Sequence, residues 1–358
     1  MKAETDKQEQ LKAFSLLGKY LAWTALILVG VMFSLVLAIS GFHLPRPPCA
    51  DKPNPSTSGN QLKPVADHIP QPEYWTAPDT TQLQRKADAD LIRYGRNLIV
   101  STASYLGPKG TVGKLANGMN CQNCHLDAGT RPFANNFSVF YSGFPKMTAR
   151  SGRKEEAFER IDECFERSMN GKAPERNSRE MQAMLSYLKW IGEKPVDAHP
   201  LADNSVKKIP YLSVPADPLK GKMVYASRCS SCHGEAGKGL ASIDGKGYIY
   251  PPLWGGDSYN DGAGMFRLGN FAGFVKENMP YGTSYKDPVL SDEEAWNVAA
   301  YVNSQPRPHL GQKNDYPELS RKPIDYPFGP YADSFTERQH KYGPFIEIEK
   351  QHLTKTKK

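Results

Sequence analysis

Two short motifs of one form constrain this chain more than anything else in it: Cys121-Gln-Asn-Cys124-His125 and Cys229-Ser-Ser-Cys232-His233. Two cysteines, two residues apart and followed at once by histidine, form the attachment site for c-type haem. The thiols bond to the vinyl groups, and the adjacent His lies under the iron as proximal ligand. A structural zinc site assembled from both motifs is the competing reading. It needs Cys or His from each half but gives no reason for His directly after the second Cys both times. The sequence therefore predicts two covalently bound c-type haems.

A chain of 358 residues holds two small domains plus extensions. The expected fold class is all-α: two class I cytochrome c-like domains preceded by an N-terminal transmembrane helix. We read residues 1–20 as a cytoplasmic leader and 21–41 as a membrane anchor. Residues 42–80 follow as a Pro-rich linker, with nine prolines. Then come a haem 1 domain at 81–195, a linker at 196–216, a haem 2 domain at 217–306 and a Pro- and Tyr-rich tail at 307–358.

Leu21–Gly41 carries no charged side chain and has about the 20 residues that cross a bilayer. Lys2, Lys7, Lys12 and Lys19 precede it and favour a cytoplasmic N-terminus. The length of the stretch favours a retained anchor over a cleaved signal. In both cases the haem domains lie on the periplasmic side of a bacterial inner membrane. A net charge of +7 is mild. It suits an anionic substrate or an acidic redox partner, and no basic run interleaved with aromatics points to nucleic acid.

Each half repeats one plan. Leu91, Tyr94 and Leu98 recur at helical spacing before the first motif, and Met181, Leu185, Leu188 and Ile191 close that unit. Val224 and Tyr225 lie on a helix leading into Cys229. Ser291–Gln305 ends the second unit, opening with a Ser291/Glu294 capping box. Gly95 and Gly221 sit where crossing helices need a small residue. Beyond Pro306 we find no strong periodicity and expect the chain to wrap over the domains.

The sixth iron ligands differ between halves. For haem 2, Met279 precedes Pro280 at the end of an expected helix, Phe271–Asn278; Met265 is the rival. A carbonyl at Pro251 or Pro252 is placed to accept from Nδ1 of His233. No Met-Pro follows His125, where Met147, Met169, Met181 and Met184 compete with Cys164. With Arg153–Ser168 as one helix, Arg153, Ala157, Arg160, Cys164 and Ser168 share a stripe, with Arg167 beside it. Cations beside a thiol lower its pKa and attract small anions. On the residues alone, Cys164 is equally a buried structural thiol among helix ion pairs. Cys49 is the other cysteine outside the motifs.

Several stretches, in one order, resemble the di-haem thiosulfate dehydrogenase / tetrathionate reductase family. They are Arg93-Tyr-Gly-Arg-Asn97, Asn120–His125, Ile161-Asp-Glu-Cys164-Phe-Glu-Arg-Ser168, Glu277-Asn-Met279-Pro-Tyr-Gly282 and the tail Arg321–Phe345. The resemblance implies an oxidoreductase joining two thiosulfates into tetrathionate with release of two electrons, or the reverse. It implies His125 and Cys164 as the axial pair of the active-site haem, with His233 and Met279 on the relay haem. Some relatives have Lys before this Met and exchange ligands; here Asn278 stands there. Arg150, Arg153, Arg160 and Lys172 are the expected anion-binding residues, and Ser168 a hydrogen-bond donor to a sulfonate. The redox partner is a soluble cytochrome c or a membrane quinone-linked complex. The alternative is a membrane-anchored di-haem electron carrier such as a terminal oxidase subunit; a di-haem peroxidase is a third reading.

Overall fold

Ala89–Val100 forms a helix because Ala89, Ile92, Leu98 and Ile99 bring one apolar face to the core. It packs against the helix Arg179–Ile191, which Ser178 caps by accepting from Met181 N. The two cross at Gly95, where an added Cβ would lie 1.9 Å from the Ala183 carbonyl oxygen. The second half repeats this pair. Asp217 caps Pro218–Arg228, with Pro at the helix start, and Asp292–Ser304 opens on the Ser291/Glu294 capping box. Gly221 meets Asn297 there, again at 1.9 Å from its carbonyl oxygen for an added Cβ. Leu268–Asn278 packs on Asp292–Ser304.

The computed structural model describes Tyr20, Trp23, Thr24, Leu26, Ile27, Leu28, residues 74–193 and residues 205–356. Residues 69–358 fall in one compact unit. It contains two hydrophobic clusters, one around Ile92, Leu98, Met181 and Tyr187, the other around Phe271, Trp296, Val298 and Phe345. Helices carry the architecture. Two short antiparallel hairpins, Lys146–Met147 with Lys154–Glu155 and Leu240–Ala241 with Tyr248–Tyr250, are the strands among the described residues. Among those residues no helix is long and apolar enough to cross a membrane. The anchor expected over 21–41 lies mostly outside the described residues, as does Cys49.

Three expectations need correction. Arg153–Ser168 is not one helix: the hairpin strand Lys154–Glu155 comes first, a helix spans Ala157–Glu163, and Cys164–Ser168 is a π-turn. Gly152 has φ +68°, a left-handed conformation that favours a hairpin over a helix. The tail is not without periodic structure, because Glu337–Tyr342 and Ile346–Thr356 are helical. Their apolar residues are few, but Ile348, and Phe345 just before the second of them, are buried in the second core. Finally, the end of the Pro-rich stretch is packed: Trp75 is buried in the first core, and Tyr74 meets Phe133 edge-on at 5.2 Å.

The tail does wrap the body. Asp325 accepts from Arg267 Nε and Nη2 at 2.8 and 2.6 Å and from Gly269 N at 3.0 Å. Lys322 donates to the carbonyls of Phe328 and Pro330 with Tyr316, Tyr326 and Tyr331 around its ammonium. Ala216 N donates to the Tyr342 carbonyl, closing the tail onto the start of the second half.

Candidate active site

The first motif begins in a single 3-10 turn, Cys121–Asn123. Thr102 fixes it: its hydroxyl accepts from Cys121 N at 3.0 Å and lies 3.3 Å from Cys121 Sγ. The His125 Nδ1 lies 2.5 Å from the Asn135 carbonyl oxygen. A proton on Nδ1 donates to that carbonyl and leaves Nε2 with its lone pair for a metal. The Asn135 amide also donates to the Cys124 carbonyl at 3.1 Å, so one residue locks motif and ligand together. Phe137 stacks on the imidazole at 4.5 Å. This packing leaves no room at Gly129, where φ is +80° and an added Cβ would lie 2.0 Å from the Phe137 ring. Burial pulls the His125 pKa down to about 4, and the nearby Arg160 charge acts in the same direction, against the Asn135 bond. Burial pushes Cys121 up to about 11 and Cys124 up to about 12.

Cys164 starts the π-turn, whose signature bond runs from Met169 N to the Cys164 carbonyl at 3.0 Å. It is half-buried, and its sulfur lies near enough to raise the pKa of Cys121, Cys124 and Arg160. For Arg160 the Cys164 sulfur is the largest cause, with Glu163 also holding the charge on. The residue that lowers His125 is therefore the same one that senses Cys164.

Around them lies a charge cluster. Arg160 meets Glu163 at 2.6 Å, Arg150 meets Glu163 at 3.4 Å, and Arg167 pairs with Asp315 through two contacts of 2.8 Å. Three guanidiniums face two carboxylates, with the Cys164 sulfur as a further partner of Arg160. Burial opposes the Arg150 charge, but Tyr316, Glu163 and Asp315 outweigh it and hold its pKa above the ordinary value. The Nε atoms of Arg150 and Arg167 are buried with no hydrogen-bond partner among the described residues.

The other expected residues are placed differently. Arg153 precedes the helix, is exposed, and pairs with Glu159 at 2.7 Å, not with Glu163 or Asp315. Ser168 is half-buried at the end of the π-turn, so it does not sit one α-turn above Cys164. Lys172 is exposed, and its backbone N donates to the Leu115 carbonyl at 2.7 Å. Sequence reasoning missed Asn135, Asp315 and the site role of Arg167. An asparagine ten residues after the motif and an aspartate in a Pro-rich tail carry no local signal.

In the second half the helix Pro218–Arg228 runs directly into Cys229, and Tyr225 donates to the Gly234 carbonyl at 2.6 Å. His233 Nδ1 lies 2.9 Å from the Pro251 carbonyl oxygen, so its Nε2 is likewise left for a metal. A cavity of about 400 Å³ is lined by Cys229, Cys232, His233, Met265 and Met279, and on one side by Cys124. Met279 follows the helix Leu268–Asn278, whereas the Met265 sulfur lies 3.9 Å from the Asn135 amide. Two thiols, an oriented imidazole and a thioether around such a cavity fit a c-type haem.

Residues 219–306 match the family model of cytochrome c. The thiosulfate dehydrogenase of Stutzerimonas stutzeri is 37% identical over 235 residues, covering 66% of this chain and 73% of that protein. That of Allochromatium vinosum is 38% identical over 239 residues, covering 65% of this chain and 84% of that protein. Among solved structures, the thiosulfate dehydrogenase TsdBA from Marichromatium purpuratum matches with a TM-score of 0.59 and 31% identity. That match covers 66% of this chain, which spans half of the TsdBA chain. This c-type cytochrome is an oxidoreductase and belongs to the thiosulfate dehydrogenase family.

Proposed function

We propose that this chain is a haem-dependent thiosulfate-oxidising enzyme that interconverts two thiosulfates with tetrathionate and two electrons. The observation that carries the reading is the convergence of Cys164, His125 and the Arg150/Arg160/Arg167 cluster on the first attachment motif. Cys121 and Cys124 hold the first haem and Cys229 and Cys232 the second. His125 and Cys164 would hold the iron of the first, and His233 and Met279 that of the second. Each c-type haem, when bound, takes up one electron at a time.

The chain's own residues supply the rest. Two thiosulfate dianions repel one another, and the guanidinium charges of the cluster offset that repulsion in a partly buried site. Arg150 and Arg160 bind the sulfonates, Ser168 donates to a sulfonate oxygen, and Lys172 and Arg153 add charge at the approach. Cys164 is the nucleophilic thiol. Its Sγ bonds the outer sulfur of one thiosulfate, two electrons leave the pair, and an S-thiosulfonate remains. The outer sulfur of a second thiosulfate then attacks that same sulfur. Tetrathionate departs and Cys164 is released as thiolate. Electrons pass to a soluble cytochrome c or a membrane quinone-linked complex on the periplasmic side of the inner membrane, where residues 21–41 anchor the chain.

Thiosulfate-dependent reduction of an artificial acceptor tests this, with tetrathionate measured as product. Wild type and Cys164→Ser, each loaded with haem, are compared. Loss of turnover in the variant with both haems retained supports the assignment. A variant as active as wild type refutes it. A wild type that neither oxidises thiosulfate nor reduces tetrathionate returns the chain to the electron-carrier reading.

A further inference from the structure

A helical run that ends in a π-turn leaves its last carbonyls without an intrahelical partner, and a buried carbonyl needs one. At Cys164–Ser168 the partners come from far along the chain. The Asn260 side-chain amide donates to the Glu166 carbonyl at 2.8 Å and to the Asn170 Oδ1 at 3.1 Å. The Asn260 backbone N donates to the Arg167 carbonyl at 3.1 Å. Asn260 has no solvent exposure, and its Oδ1 is in turn held by Gly262 N at 3.0 Å. The Gly262 carbonyl accepts from Arg167 Nη1 at 3.3 Å, and an added Cβ there would lie 2.9 Å from that nitrogen. The same loop is fixed from its other side: Asp261 accepts from Leu310 N at 2.9 Å and Gln312 Nε2 at 3.0 Å. Five residues beyond Asn260, this loop reaches Met265 at the wall of the second cavity.

We infer that Asn260, supplied by the second half, is a positioning residue that sets the place of the Cys164 sulfur by holding the π-turn open. The inference rests on the reading of Cys164 as reacting thiol and haem ligand. An α-helical continuation through 164–168 would turn Cys164 relative to the residues that follow it, which Asn260 anchors at the Glu166 and Arg167 carbonyls. The π-turn is thus supported by a tertiary contact as well as by its own backbone bonds.

Asn260→Asp is nearly isosteric and keeps the acceptor for Gly262 N, but it removes the donor to Glu166 and turns a lone pair toward that carbonyl. In the haem-loaded full chain we expect the electron paramagnetic resonance signal of the sulfur-ligated haem at Cys121/Cys124 to shift or split. The optical spectrum of the second haem stays unchanged, and kcat falls about tenfold to a hundredfold while KM moves less. Arg131→Ala, which removes a different bond between the halves, to the Thr283 carbonyl, controls for simple loosening and should leave signal and kcat as in wild type. If Asn260→Asp fails to load haem, Asn170→Gly decides. It deletes the second acceptor of the same amide where φ is 44°, a conformation glycine adopts freely. Its expected effect has the same direction and smaller size. A wild-type signal and kcat in the variants that load haem, or a fall in Tm alone, overturns the inference. Should Cys164→Ser keep its turnover, the underlying reading fails instead, whatever the Asn260 variants do.

Discussion

Each terminal nitrogen of Arg167 meets a carboxylate oxygen of Asp315 at 2.8 Å, joining the π-turn to the C-terminal tail. Next along the chain, Tyr316 donates its backbone N to the Arg150 carbonyl at 2.6 Å. Tyr326 donates to Asp315 and to Gln312 from the other side. The tail therefore holds two of the three arginines in the cluster.

Asp315→Asn should expose that role. Both partners are nine-tenths buried, and removing one charge of such a pair costs about 3–5 kcal/mol. Denaturant titration of the holoprotein should show a loss of that order. KM for thiosulfate should rise as Arg150 and Arg167 lose their fixed places. An unchanged unfolding midpoint would remove the tail from the account of the site.

The second haem offers a ligand test. Met279→Leu should abolish the sulfur-to-iron charge-transfer absorption of that haem and lower its potential, since loss of a thioether ligand favours the ferric state. Met265→Leu, a near volume-conserving change in the same cavity, should keep the band. The reverse outcome would make Met265 the ligand.

Gly→Ala in a helix is ordinarily worth about 1 kcal/mol in favour of Ala. At Gly95 and Gly221 the sign should invert, because the new Cβ would stand 1.9 Å from a carbonyl oxygen of the crossing helix. Overpacking costs typically about 1–3 kcal/mol or more, so each variant should melt lower than wild type. Equal or higher Tm would mean that the helices separate without penalty.

Asp162 gives a pH-dependent prediction. Burial, followed by the like charges of Glu166 and Glu159, raises its pKa from 3.8 to about 6. Between those values the folded chain binds more protons than the unfolded one, so this group's contribution to stability falls as pH rises across the window and is level above it. Asp162→Asn should thus stabilise at pH 7 and make no difference below pH 4. Because the carboxyl is partly exposed, the gain should be at most about 1 kcal/mol. A constant difference from pH 4 to 7 would refute the shift.

The parts of this molecule written in short range were legible. The His233 acceptor at Pro251, the Ser291/Glu294 cap and the two helix-crossing glycines each follow from a few neighbouring residues. The Cys164 segment was read as continuous α-helix because its residue types permit one. Its actual register depends on Asn260, 94 residues from Glu166, and no periodicity records that contact. Asn135 and Asp315 were missed for the same reason, since their work is done by a carbonyl and by a partner distant in sequence.

The cavity beside Cys229 and Cys232 has Cys124 in its wall, so with a haem on each motif, as proposed, the second cofactor's compartment would be partly built from the first one's tether. A sulfur–sulfur bond is made with a pair of electrons, whereas a partner cytochrome collects them singly. On the proposed function, two one-electron reservoirs separated by one shared wall would reconcile these tallies within a single polypeptide. The substrate would then not need to wait, half-oxidised, as a sulfur radical at liberty to diffuse away.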